Sequence, residues 1–409
     1  MTLDNSFTQG LVDQPWESRY GAVMANTFGA PRRVLVRASG TQVWDANGRC
    51  YTDFLSGIAV NVLGHCHPAV LAAMTGQAST LDHISNFFAS QPQVRLAEAL
   101  VGLVTANQPG LAARVFFGNS GAEANEAGFK LTRLTGRRRI VAMAGSFHGR
   151  TMGALALTSK EAYRAPFEPL PGDVRFVPYG DAAALEAAVD DQVAAVIVEP
   201  VQGENGVVPA PDGFLAVARD VTTSRGALLW VDEIQTGLGR CGEWLVSVAD
   251  GVTPDIVTIA KGLGNGFPIG ACIATGPAAE LFTPGSHGST FGGNPVAAAV
   301  GLAVLTTIER DDLLARSQAL GAHLAQAVMA LGNPAIVGVR GRGLLRGIVL
   351  AKPVSGVVND LLLEAGWIVN APRPDVLRVA PPLIVTAGEL DAFAAALDVA
   401  LRRVEGSGS

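Results

Sequence analysis

Residues 255–270 read DIVTIAKGLGNGFPIG, and the reading of this stretch decides the fold. Residues 256–260 are mostly apolar and β-branched, the composition of a buried strand. Lys261 follows directly. Gly262, Gly264 and Gly266 then break the strand and let the backbone turn sharply. This order puts an amine at the carboxyl edge of a sheet, where open α/β sheets bind ligands. Lysine is scarce in the chain: Lys130, Lys160, Lys261 and Lys352 are the only four among 30 lysines and arginines. A lysine, unlike an arginine, sheds its proton readily on burial and can act as nucleophile or base. Lys261 is therefore expected to form a Schiff base with an aldehyde cofactor, pyridoxal phosphate.

The stretches on either side repeat the pattern of a strand that ends in chemistry. Residues 114–117 form a short strand that runs into Gly118-Asn119-Ser120-Gly121-Ala122, and residues 123–134 have helical spacing. A strand, a small-residue turn and a helix N-terminus together favour a phosphate dianion. Residues 139–143 form a strand ending in Gly145-Ser146-Phe147-His148-Gly149-Arg150. Phe147 is a candidate to stack on a flat heterocycle, and Arg150 to clamp a carboxylate. The apolar run 193–198 ends in Glu199, with Gln202 and Glu204 shortly after. Residues 227–231 end in Asp232, followed by Gln235. An acid at the end of an apolar strand is costly to bury unpaired, and a pyridinium nitrogen would be a suitable partner. The polar run 286–295, which contains Ser289 and Thr290, is a second place for phosphate oxygens. Arg378 interrupts the apolar stretch 377–382 and needs an acidic partner or a ligand carboxylate.

The bulk numbers narrow the alternatives. With 409 residues, the chain can build two or three domains. It is 49% hydrophobic and 16% charged, with 48 glycines, as suits a parallel sheet covered on both faces. A net charge of −6 provides no field for nucleic acid, and no apolar run approaches the ~20 residues of a membrane span. The first residues, MTLDNSFTQG, do not read as a secretory signal, and residues 1–20 are expected to be irregular. Cys50, Cys66, Cys241 and Cys272 are scattered and form no CxxC pair, so reduced thiols and a cytoplasmic setting are expected. His65-Cys66-His67-Pro68 invites zinc, but adjacent side chains diverge and a helix start is the better reading; no metal is expected. Short strands near 34–37, 42–45 and 50–54, with Asn47-Gly48 between the last two, predict a small antiparallel piece. Beyond about residue 310 the pattern turns to α+β, and Thr386 with Glu389 reads as a capping box for the final helix.

Seven stretches occur in order: NSGAEANEAGFKL, GSFHGRT, VEPVQGE, WVDEIQTGLGR, IAKGLGNGFPIGA, GSTFGGNP and LRVAPPL. Together they resemble the class III pyridoxal-phosphate aminotransferases, from about Tyr20 to the final helix. The resemblance implies an α/β fold of type I. A mostly parallel seven-stranded sheet with helices on both faces would form a large domain, 76–309. The smaller α+β domain would come from residues 1–75 and 310–405, with 406–409 as a tail. It also implies a homodimer. Lys261 would carry the imine link and Asp232 would face the ring nitrogen. Ser120, Gly121 and Ala122 would hold the phosphate, with Thr290 reaching in from the partner subunit. Phe147 and His148 would lie along the ring, and Gln235 near its hydroxyl. The likeness is greatest to members that take N2-acetyl-L-ornithine as donor and 2-oxoglutarate as acceptor, releasing glutamate. Arg150 and Ser289 would meet the acetylornithine end, Arg378 the α-carboxylate of glutamate, and Glu204 would pair with Arg378. Asn205 and Cys241 depart from the family pattern. Succinylornithine, ornithine or 4-aminobutyrate as donor, racemisation or an aminomutase reaction on the same cofactor, or a nucleotide phosphate at the Ser-Gly-Ala turn, remain the competing readings.

Overall fold

Strands β1 (Leu35–Ser39), β2 (Gln42–Asp45) and β3 (Cys50–Asp53) come first in the computed structural model, which describes residues 14–406. β2 and β3 form the expected hairpin, and Gly48 takes a φ of 81° at its turn, a conformation glycine adopts without strain. The irregular opening and the short tail fall partly outside the described residues, at 1–13 and 407–409. Within them, Trp16–Val23 is a helix, which corrects the expectation for 1–20. None of its residues is buried, so no apolar stripe marked it in the sequence.

The central sheet uses β4 (Ala113–Gly118), β5 (Arg139–Met143), β6 (Asp173–Val177), β7 (Val193–Val198), β8 (Leu228–Asp232), β9 (Ile256–Ile259) and β10 (Gly270–Thr275). Their spatial order is β4-β10-β9-β8-β7-β5-β6. Only β10 runs against the others, pairing antiparallel with both β4 and β9. Every residue of β7, β9 and β10 is buried, as expected for strands covered on both faces.

The order also places the site. β4, β5, β7, β8 and β9 point the same way, so the turns after Gly118, Met143, Val198, Asp232 and Ile259 gather at one edge. The first crossover helix, α1 (Gly121–Arg133), starts at that edge. It lies tightly on the sheet because Gly128 meets the Trp230 ring, leaving no room there for a side chain.

A second sheet comes from late in the chain: β11 (Ile336–Arg342), β12 (Leu345–Leu350), β14 (Asn370–Arg373) and β15 (Val376–Val379), in the order β11-β12-β15-β14. The two-residue strand β13 (Trp367–Ile368) pairs in parallel with β3, so residues 50–53 and 367–368 share one sheet. Helix α2 (Ala387–Gly406) closes the lobe. Its capping box is present: Glu389 N–H donates to Thr386 Oγ1 (3.2 Å), and Thr386 N–H donates to Glu389 Oε2 (2.8 Å). The helix extends one residue into the stretch expected as tail. His67 caps the helix Pro68–Ala78, accepting from the Ala69 N–H.

Candidate active site

A cavity of about 410 Å³ opens at the carboxyl edge of the sheet, lined by Ser120, Gly121, Ala122, Phe147, His148 and Lys261 among others. Arg150, Glu204, Asp232 and Gln235 also line it. The turns at the strand ends thus bring Ser120 and Lys261, 141 positions apart in sequence, to one cavity.

At one end lies the N-terminus of α1. Ser120 caps it, its Oγ accepting from Glu123 N–H (3.1 Å), while Ala124 N–H donates to Ser120 O (3.0 Å). The first two helical amides, on Gly121 and Ala122, lie ahead of these and have no carbonyl one turn back. They sit on the cavity wall with the helix dipole behind them, an anion cradle. The turn is held by close approach. A side chain on Gly270 of β10 would strike the Ser120 carbonyl.

Asp232 sits at the end of β8, 4% exposed. Its Oδ2 accepts from Asn125 Nδ2 (2.9 Å) and lies 2.7 Å from His148 Nδ1, and Oδ1 accepts from Ile234 N–H (3.0 Å). Two neighbouring polar atoms, His148 Nε2 and Asn125 Oδ1, are buried without a partner among the described residues. Asn125 also donates to His148 O (2.7 Å), so one amide fixes both members of the pair. The next residue, Glu233, is buried and turned away. It accepts from Ser247 N–H (2.7 Å), Ser247 Oγ (2.9 Å) and the Thr236 hydroxyl, and so secures the loop after Asp232.

Lys261 opens a single 3-10 turn after β9 and has a φ of 42°, unusual for a residue with a side chain. Its amine is pushed down to about 8, first by burial and then by the Arg378 charge; Glu204, Asp232 and Glu199 oppose the fall. Glu199, also on the wall, is pushed well above the ordinary carboxyl range by burial and by Asp232, although it accepts from Phe147 N–H (3.2 Å).

Arg378 lies behind the wall on β15, 1% exposed. Its Nε donates to Asn370 Oδ1 (2.9 Å), and its Nη1 to Glu204 Oε1 (2.6 Å) and Gln235 Oε1 (3.3 Å). Nη2 is buried with no partner among the described residues. Glu204 is held below the ordinary range: burial raises it, but the Arg378 ion pair outweighs burial, with Lys261 and Lys160 adding to the fall.

Ser289 and Thr290 are not in this cavity. They line a separate one with Asn86, Phe87 and Phe117, although Asn119 Nδ2 donates to Ser289 Oγ (3.3 Å). Asn125 escaped sequence reading because its partners lie 107 and 23 positions away; its one signal was an amide on the buried face of a helix. The two departures are accommodated. Asn205 donates to Gln202 Oε1 (3.0 Å) and fills the space against Gly145. Cys241 packs among Val201, Val207, Val246 and Leu345, where burial pushes its thiol up to about 12.

The family described as aminotransferase class III matches residues 23–401 of the chain. The chain is a class III aminotransferase. Relatives of this aminotransferase are similar over nearly their whole length. The acetylornithine aminotransferase of Mycolicibacterium smegmatis is 57% identical over 94% of this chain and 97% of its own. That of Mycobacterium tuberculosis H37Rv is 56% identical over 98% and 99%. Among solved structures, the ornithine aminotransferase of Toxoplasma gondii superposes over all of both chains with a TM-score of 0.91 at 31% identity. The N-acetylornithine aminotransferase of Stenotrophomonas maltophilia gives 0.81 at 36% identity, over 95% of this chain and 99% of its own.

Pyridoxal phosphate is the cofactor of class III aminotransferases, and the cavity of this one fits it. The amides of Gly121 and Ala122 suit its phosphate. Asp232, with His148 and Asn125 fixing it, suits a protonated ring nitrogen. Phe147 offers a flat apolar face, and Lys261 brings an amine to the same cavity. No helix of the described residues is long and apolar enough to cross a membrane.

Proposed function

We propose that this aminotransferase moves the δ-amino group of N2-acetyl-L-ornithine to 2-oxoglutarate, giving N-acetyl-L-glutamate 5-semialdehyde and L-glutamate, a step of arginine biosynthesis. The observation that carries the reading is the Glu204–Arg378 pair (2.6 Å) on the cavity that Lys261 lines, with Arg378 Nη2 left over as a donor. Pyridoxal phosphate, when bound, supplies an electrophilic carbon and a cationic ring that accepts an electron pair. The residues do the rest. Gly121 and Ala122 would hold its phosphate, Asp232 would keep the ring nitrogen protonated, Phe147 and His148 would fix the ring, and Gln235 would serve its hydroxyl. Lys261 anchors the cofactor and then, as a free amine, takes a proton from the substrate carbon and returns it. Its depressed pKa suits both tasks.

Two substrates of different charge must use one cavity. The donor enters by its δ-amino end, with its carboxylate towards Arg150; Ser289 would meet it only from the partner subunit. Glu204 covers Arg378 meanwhile, so the donor's methylene chain faces little net charge. 2-Oxoglutarate brings a second carboxylate, which takes Arg378 from Glu204. Acetylation favours the reading over free ornithine, whose α-ammonium would approach the Arg150 guanidinium. We further propose a cytoplasmic homodimer, which accords with the four unpaired thiols. In it Thr290 would complete the partner's phosphate site, and residues 76–309 would form the large domain between the two parts of the smaller one.

The test compares initial rates on acetylornithine, succinylornithine, ornithine and 4-aminobutyrate with 2-oxoglutarate as acceptor. Acetylornithine should give the highest kcat/KM, with parallel double-reciprocal lines. A higher value for any other donor would replace this substrate assignment.

A further inference from the structure

Glu204 stands between two cavities. Besides the first, it lines a neighbouring one of about 800 Å³, together with Phe147, Lys160, Tyr163, Asn205 and Arg373. The two partners of the ion pair are held very differently. Arg378 is 1% exposed and tied on a second side to Asn370, whereas the Glu204 side chain is 35% exposed. If the pair opens, Glu204 is the partner with room to move, and the space beside it is the second cavity.

That cavity already contains a cation suited to a carboxylate. Lys160 is one of the four lysines of the chain and makes no ion pair among the described residues. Its Nζ donates to Tyr163 Oη (3.2 Å) and lies 4.4 Å from the centre of that ring. The same ring carries the Arg150 guanidinium at 3.5 Å. Tyr163 therefore holds Arg150 for the first cavity and Lys160 for the second, by cation–π contacts that limit how far either can drift. Lys160 is close enough for its charge to act on Glu204 across the shared wall.

We propose that Lys160 is the second station of Glu204: when a substrate carboxylate takes Arg378, the Glu204 side chain turns into the neighbouring cavity and pairs there with Lys160. The inference rests on the reading that Arg378 receives the second carboxylate of the acceptor. Lys160 then sets the affinity for dicarboxylates without touching them. A displaced Glu204 with no cation to meet would stay near Arg378 and compete with the substrate for it. Lys160 is thus a positioning residue for the acceptor half-reaction, silent in the donor half-reaction, in which Glu204 never leaves.

The experiment measures the two half-reactions separately in the holoenzyme, with calorimetric binding of 2-oxoglutarate to the amine form of a slow-turnover preparation at low temperature. Lys160→Met should raise the KM and Kd for 2-oxoglutarate about fivefold, the worth of a partly exposed ion pair, with kcat unchanged. Its acetylornithine half-reaction should match wild type, and Lys160→Arg should restore acceptor binding. In a Glu204→Ala background, Lys160→Met should have no further effect. An equal loss in both backgrounds, equal losses in both half-reactions, or a loss seen with Arg373→Ala in place of Lys160→Met would overturn the proposal. Failure of the underlying reading looks different: Arg378→Ala would then leave 2-oxoglutarate affinity unchanged.

Discussion

Lys261 combines three properties that a surface lysine lacks: a left-handed backbone, a position on a cavity wall, and an amine brought down to about 8. Replacing it by alanine should abolish the visible absorption of the holoenzyme and reduce turnover by a factor on the order of 10³ or more, as loss of both anchor and proton carrier requires. Spectra and rates on the purified variant check this. The pH dependence has a definite sign. The ordinary lysine value is 10.5, so between about 8 and 10.5 the folded amine is neutral where an unfolded one would be charged. Only the neutral amine adds to an aldehyde. Cofactor uptake by the apoprotein should therefore rise with pH and level off near 8, not near 10.5, in stopped-flow absorbance. Glu204→Gln removes an anion that holds the proton on, and should move the plateau lower. Lys261 and Asp232 were legible in the sequence because each ends an apolar strand. Asn125 was not, because nothing local says that an amide in the middle of a helix faces an acid on another strand. Thr290 was legible as part of a polar run able to receive phosphate oxygens, but its reach towards a partner only through family resemblance; its own chain keeps it out of the cavity that holds Lys261.

At the level of elements, the strands 139–143 and 193–198 were readable to the residue, and others to within one or two. Uninterrupted burial leaves a continuous apolar run with sharp ends. The packing between elements was less visible. Gly128 reads as an ordinary break in helical propensity, yet it is the point where α1 rests on the Trp230 ring of β8. A methyl group there would lie 2.5 Å from Trp230 Cζ2. Gly128→Ala should cost about 1–3 kcal/mol through overpacking, despite the gain in helix propensity, as measured by denaturant unfolding. The same helix carries the Gly121–Ala122 amides and Asn125, so the variant should also bind pyridoxal phosphate more weakly, as seen by fluorescence titration. The helix Trp16–Val23 shows the opposite limit: with no face buried in its own chain, it left no pattern to read.

For the whole molecule, the telling surface lies where the loops near 83–88 and 286–292 meet. Phe87, Phe88 and Phe291 are 94%, 65% and 60% exposed, and Asn86 Nδ2 ties the loops together by donating to the Gly292 carbonyl (2.9 Å). So many bare aromatic rings beside Thr290 suit burial by a second copy. If Thr290 acts across that contact, the two defective chains Lys261→Ala and Thr290→Asp should complement each other. Each mixed dimer would hold one site with both residues intact. Refolding the two together in equal amounts should recover about a quarter of wild-type activity, where neither alone recovers any comparable amount. Recovery no better than the two parents averaged would place Thr290 in its own subunit's service. The family resemblance implied a lobe made from both ends of the chain, and the parallel pairing of β3 with β13 is one contact between those ends. That contact has a consequence for the order of synthesis. A ribosome delivers Lys261, Asp232 and the phosphate turn well before Arg378, and β3 waits for the late segment at 367–368. A nascent chain could thus hook its vitamin-derived cofactor before it carried the arginine that greets a dicarboxylate.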